Sequence, residues 1–128
     1  MTKDVVRTEA APAPFQGAPY SQAIKANGFV FVAGQLGLDP AAKELVPGGI
    51  TEQTEQVFAN LRAILEAAGS SLDQIVKTSV FLQSLDDFQA MNEVYARHIG
   101  DSPPARSTFE VAKLPSGGLV EIEAIALA

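Results

Sequence analysis

Residues 50–82 read ITEQTEQVFANLRAILEAAGSSLDQIVKTSVFL, and the spacing of their apolar side chains changes partway along. In the first part Ile50, Thr54, Val57, Phe58, Leu61, Ile64, Leu65 and Ala68 recur by threes and fours, which gives a helix one apolar face. Thr51 is the expected N-cap, Glu52 and Glu55 suit the positive end of the helix dipole, and Gly69 is the expected stop. From Ile75 to Leu82 the run turns β-branched and aromatic, with Lys77 and Ser79 on one parity, so it predicts a strand covered on at least one face.

Upstream, Tyr20–Lys25 and Phe29–Ala33 are extended runs separated by Asn27-Gly28, a dipeptide suited to the positive-φ positions of a β-hairpin. Asp39-Pro40 within LGLDPAAKELV predicts a second, looser hairpin. The Pro/Ala-rich stretch from Ala10 to Ala18 reads as a loop after an initial extended piece. Downstream, Phe88, Met91, Tyr95 and Ile99 mark a second helix, with Ser84 or Asp86 near its start, Asn92 inside its apolar stripe and Gly100 at its end. Two more strands, about 106–111 and 119–127, flank the turn-rich LPSGG. The order β-β-β-α-β-α-β-β predicts one α+β domain over residues 1–128, with a sheet packed by two helices on one face. The other face then needs a cover, which predicts an oligomer.

The 128 residues carry a net charge of −6, with nine Lys and Arg scattered along the chain. Nucleic-acid binding draws its affinity from clustered cations, so this balance argues against it. There is no cysteine and only one histidine, which excludes disulfides, thiolate nucleophiles and thiolate or His-rich metal sites. The N-terminus has no apolar core of the kind a signal peptide uses, and no stretch approaches a membrane span. A cytoplasmic protein is expected.

Four residues draw attention. Arg106 follows Pro103-Pro104 and precedes Ser107-Thr108, so its guanidinium leaves a stiff base and could grip a carboxylate in two parallel bonds; the alternative is a surface arginine. Alternation in the last strand sets Glu121, Glu123, Ile125 and Leu127 on one face. Glu121 beside that apolar patch could act as a base toward water, or else be a solvated strand end or an ion pair with Arg106. Asn92 is either a site residue or the donor of a helix-to-loop hydrogen bond. Tyr20 places a phenol at a pocket rim or fills core. His98, at a helix end, is assigned no role, and GQLG (34–37) lacks the third glycine of a dinucleotide site.

Taken together, PYSQAI (19–24), VAGQLGLDP (32–40), ANLRAILEAAG (59–69), IVKTSVFL (75–82), FQAMNEVYARHI (88–99), PPARSTFEVAKLP (103–115) and VEIEAIA (120–126) resemble the RidA (YjgF) family of enamine/imine deaminases over nearly the whole chain. The resemblance implies a chorismate-mutase-like α+β fold, assembled as a homotrimer with a site in each cleft between subunits. It implies hydrolysis of 2-aminoacrylate/2-iminopropanoate and 2-iminobutanoate to 2-oxo acids and ammonia, with no metal and no cofactor. The alternative is a non-catalytic, small-carboxylate-binding or chaperone-like trimer. An RNA-cleaving activity has also been attached to the family, and the charge argues against it here. Carried onto this sequence, Arg106 matches the arginine that binds the substrate carboxylate and Glu121 the glutamate associated with the attacking water. Tyr20 and Asn92 match site-lining residues, and the backbone around Ala33, Gly34 and Thr108 would offer N–H groups to the substrate. Ala33 stands where many active members have serine, Thr108 where several have cysteine, and Ala18 where the motif usually has glycine.

Overall fold

A computed structural model describes residues 2–128. Its strands are β1 (Asp4–Val6), β2 (Ala23–Ala26), β3 (Phe29–Leu36), β4 (Leu38–Asp39), β5 (Glu44–Leu45), β6 (Ile75–Leu82), β7 (Ala105–Glu110) and β8 (Val120–Leu127). Its long helices are α1 (Ile50–Ala67) and α2 (Phe88–Ile99). Six strands form one sheet in the order β1-β2-β3-β8-β6-β7, and β4 pairs with β5 in a separate ribbon. All pairs in the large sheet are antiparallel except β6 with β7, which α2 joins as a crossover.

The period-3.6 stripe of α1 and the period-2 pattern of the strands meet in one core. Val57, Phe58, Leu61, Ile64 and Leu65 have no solvent exposure, nor do Val30, Val80, Leu82, Val120, Ile122 and Ala126 on the facing side of the sheet. Burial of such side chains stabilises by about 1.5–3 kcal/mol each relative to exposure. The other sheet face stays open: Phe31, Phe109 and Leu127 are 43%, 54% and 42% exposed. No helix among the described residues is long and apolar enough to cross a membrane.

Both hairpins form where the turn chemistry puts them. Asn27 and Gly28 take φ of 52° and 82°, as a tight turn between β2 and β3 requires. Two local expectations are corrected. Thr51 is not the N-cap of α1; Gly49 is. The Glu52 carboxylate accepts the Gly49 amide at 2.8 Å and Gln53 N–H reaches Gly49 O at 3.0 Å, so the first turn closes ahead of the Thr51 hydroxyl. The strand expected from Tyr20 begins only at Ala23. There the Gln22 side-chain amide is turned to Thr8 O, Ala11 O and Pro12 O at 3.0, 3.2 and 2.8 Å, tying down the preceding loop, while Gln22 O accepts the Ala33 amide at 2.9 Å as the ladder begins. Before α2, Ser84 Oγ accepts the Asp86 amide at 3.1 Å in a short 3₁₀ turn, and the helix proper starts at Phe88.

Candidate active site

The residues singled out in the sequence fall into two groups on opposite faces of the sheet. In the parallel pair Arg106 is aligned with Thr78, and in the antiparallel pair Glu121 is aligned with Phe81. Thr78 and Phe81 are three apart on β6, and side chains that far apart leave a strand in opposite directions. Arg106 therefore points under α2, and Glu121 stands on the open face. Within one chain they make no ion pair, which removes that alternative for Glu121.

The first group is built by β7 and α2. Arg106 is partly buried, and its Nη1 donates to Asn92 Oδ1 at 2.8 Å. Asn92 thus does not serve a loop: its oxygen faces the cation. The guanidinium carbon lies 4.7 Å from the centre of the Tyr95 ring and 5.5 Å from that of Phe88. Thr108, two residues on and on the same face, has a buried hydroxyl with no hydrogen-bond partner. The β7 edge is open beyond it. Val111 N–H donates to Leu82 O at 2.9 Å, and alternation from that bond leaves the amides of Arg106 and Thr108 on the unpaired edge.

The second group is built by β3, β8 and the loop before β2. Pairing of β3 with β8 jumps from Val32↔Ala124 to Gln35↔Ile122, so Ala33-Gly34 carries a one-residue bulge. Gly34 lies against Glu121: a Cβ there would be 2.9 Å from Glu121 Cδ. A cleft of about 460 Å³ opens at this point, with Tyr20, Ala33, Gly34 and Glu121 in its wall beside Phe15 and Pro115. Tyr20 is 47% exposed and its hydroxyl accepts the Phe15 amide at 2.9 Å, so it belongs to the rim and not to the core. Burial holds the Glu121 carboxyl above the ordinary carboxylate range, with a smaller push from the Glu123 charge. That suits a base working closer to neutral pH. His98 stays outside both groups, 2.9 Å from Glu55 and stacked on Phe58 at 4.8 Å.

A family model described as Endoribonuclease L-PSP matches residues 8–128. The chain belongs to the RidA (YjgF) family. A RutC family protein of Pyrococcus horikoshii is 54% identical over 124 residues, 97% of each chain. The 2-iminobutanoate/2-iminopropanoate deaminase of Capra hircus is 44% identical over 127 residues, 99% of this chain and 91% of that one. A crystal structure of RidA from an Antarctic Psychrobacter, 46% identical, superposes with a TM-score of 0.93 over 98% of this chain and 99% of its own. The α+β architecture read from the sequence is the architecture of this family.

Sequence reasoning missed two neighbours of Arg106. Phe88 and Tyr95 were read only as part of the apolar stripe of α2, yet with Asn92 they are spaced by four and three residues, which puts all three on one helix face. That shared face was the available signal. It also missed Phe15, whose place beside Tyr20 depends on a loop fold without local periodicity.

Proposed function

We propose that this chain hydrolyses reactive 2-imino acids and their enamine tautomers, of the 2-iminopropanoate and 2-iminobutanoate kind, to 2-oxo acids and ammonia. The observation that carries the reading is that Arg106, hydrogen-bonded to the neutral Asn92, and Glu121, whose carboxyl burial holds above its ordinary range, stand on opposite faces of one sheet. Relatives at 43–48% identity over nearly the full chain bear the names 2-iminobutanoate/2-iminopropanoate deaminase or Reactive Intermediate Deaminase A. Two unlike surfaces that must meet suit a head-to-tail ring of identical subunits. A homotrimer, with Arg106 of one subunit facing Glu121 of the next, would also cover the exposed Phe31 and Phe109, an apolar surface of the kind that marks an interface.

In this reading Arg106 takes the substrate carboxylate in a two-bond fork, assisted by the edge amide and hydroxyl of Thr108. Tyr20, Ala33, Gly34 and the bulge around them wall the imine. Glu121 accepts a proton from water as the water oxygen adds to the protonated imine carbon, returns that proton to the nitrogen of the carbinolamine, and takes the hydroxyl proton as the C–N bond breaks, so that ammonia leaves and the 2-oxo acid remains. The protonated imine is already electrophilic; holding water and carbon together supplies most of the acceleration. RNA cleavage, the activity in the family description, fits poorly with the net charge of −6 and with a single histidine engaged by Glu55.

The test is to generate 2-iminopropanoate and 2-iminobutanoate with an amino-acid oxidase, trap free imine with semicarbazide, and measure how much the protein diverts to 2-oxo acid. Diversion by the wild type and none by Arg106→Ala is expected. A folded wild type that diverts nothing would refute the hydrolase and favour a carboxylate-binding trimer.

A further inference from the structure

We propose that Phe88 and Tyr95 are positioning residues that hold the Arg106 guanidinium in place before substrate arrives, leaving one edge of it free for the carboxylate. The proposal rests on the hydrolase reading for what Arg106 binds. A strand backbone and two prolines fix where the arginine side chain begins but not where its head goes, because several rotatable bonds lie between. Ordering such a side chain at the moment of binding lowers affinity, and ordering it beforehand removes that loss.

Three contacts order it here. Asn92 Oδ1 accepts one Nη1 hydrogen at 2.8 Å, which leaves the remaining donors of the five-donor fork unassigned. The Tyr95 ring lies 4.7 Å from the guanidinium carbon, within the range where a ring face attracts a cation. Tyr95 is itself fixed: it is 6% exposed, its hydroxyl shares a 2.7 Å hydrogen bond with that of the fully buried Thr78, and its ring meets Phe58 edge-on at 5.5 Å and 82°. The position of the cation is thereby tied to the core of α1. Phe88, 38% exposed at the first position of α2, lies 5.5 Å from the same carbon. All of these neighbours are neutral. Among the described residues the ion pairs are Arg97 and His98 with Glu55, so the clamp orients Arg106 without satisfying its charge, which stays open to an anion.

The test compares Phe88→Ala, Phe88→Tyr, Tyr95→Phe and Arg106→Ala with wild type in the full-length protein. It measures kcat and KM for imine hydrolysis, calorimetric binding of 2-oxobutanoate as a product-like probe, and the nitrogen NMR signals of the Arg106 guanidinium. Loss of one exposed cation–ring contact should raise KM and the 2-oxobutanoate Kd about two- to five-fold in Phe88→Ala with kcat little changed. Phe88→Tyr should restore both, and Tyr95→Phe, which keeps the ring but frees it from Thr78, should give a smaller rise. The Arg106 Nη signals should be resolved in wild type and averaged in Phe88→Ala, a change that a purely structural role would not produce. If Arg106→Ala abolishes binding while Phe88→Ala leaves Kd and the guanidinium spectrum as in wild type, the clamp is wrong and the hydrolase reading survives. If Arg106→Ala binds 2-oxobutanoate normally, both fall.

Discussion

Replacing Gly34 with alanine separates the geometry of the base from the stability of the fold. The new Cβ would lie 2.9 Å from Glu121 Cδ, 3.0 Å from Oε2 and 3.1 Å from Cγ. Gly34 is not among the glycines with positive φ, so alanine meets no backbone strain there and the whole conflict falls on the carboxylate. Restoring ordinary contact requires that end of Glu121 to retreat by roughly 0.5–1 Å, and the χ rotation involved costs about 0.5–1.5 kcal/mol. Folding stability should therefore drop by no more than about 0.5–1.5 kcal/mol. A base displaced by that distance from the water it activates can lose about a hundredfold in rate. The assay is imine hydrolysis under the semicarbazide trap beside a thermal melt of the same preparation, with a fall in kcat of about ten- to a hundredfold and a near-native melt expected. Full activity in Gly34→Ala would refute the assignment of Glu121 as the base at its present position.

Asn92→Ala should raise KM about tenfold or more by removing the hydrogen bond that holds a charged group, with kcat less affected, as steady-state kinetics would register. Because the Glu121 carboxyl is held above its ordinary value of 4.5, activity should fall with acid at an inflection above that value, and Glu121→Gln should abolish both the activity and that limb of the pH profile. The stability sign is opposite: the folded state holds the Glu121 proton more tightly, so stability declines as pH rises from 4.5 through the raised value, and denaturant titrations of Glu121→Gln should lack that decline. Glu55 is lowered, chiefly by its hydrogen bond to His98 and less by Arg97, so its contribution is present above 4.5 and lost as acid passes its folded value. With a side chain 46% exposed, Glu55→Gln should cost only a few tenths of a kcal/mol near neutrality, and nothing measurable in strong acid. If the proposed trimer covers the open sheet face, Phe109→Asp, at a side chain 54% exposed in one chain, should give smaller species than wild type in sedimentation at unchanged helix content.

The parts of the fold that proved legible are those governed by short periods. The stripe from Ile50 to Ala68 and the run from Ile75 to Leu82 name α1 and β6, and Asn27-Gly28 names the first hairpin. Alternation also put Glu121 correctly with Glu123 and Ile125. What stayed hidden depends on pairing over distance. The face taken by Arg106 follows from its alignment with Thr78 across a parallel crossover, a register that no local pattern encodes, so the separation of Arg106 from Glu121 could not be read. Tyr20 reached the rim because the Phe15 amide captures its hydroxyl, a contact made by an irregular loop. The N-cap moved from Thr51 to Gly49 because Glu52 folds back on the glycine amide, which competes with a hydroxyl cap at similar cost. The site residues themselves became visible through the resemblance of the PPARS and VEIEA segments to a family; composition and spacing alone left each of them with an ordinary structural alternative.

The most direct test of a site shared between subunits mixes two dead proteins. Arg106→Ala and Glu121→Gln should each be inactive alone, since each removes one half of every site. Co-refolded at equal concentration into mixed assemblies of the proposed trimer, they should regain activity, because about a quarter of the clefts, one half times one half, would pair an intact arginine with an intact glutamate from the neighbouring subunit. Recovery near a quarter of wild-type turnover is the predicted result. Mixed trimers that form and remain as inactive as their parents would contradict the account.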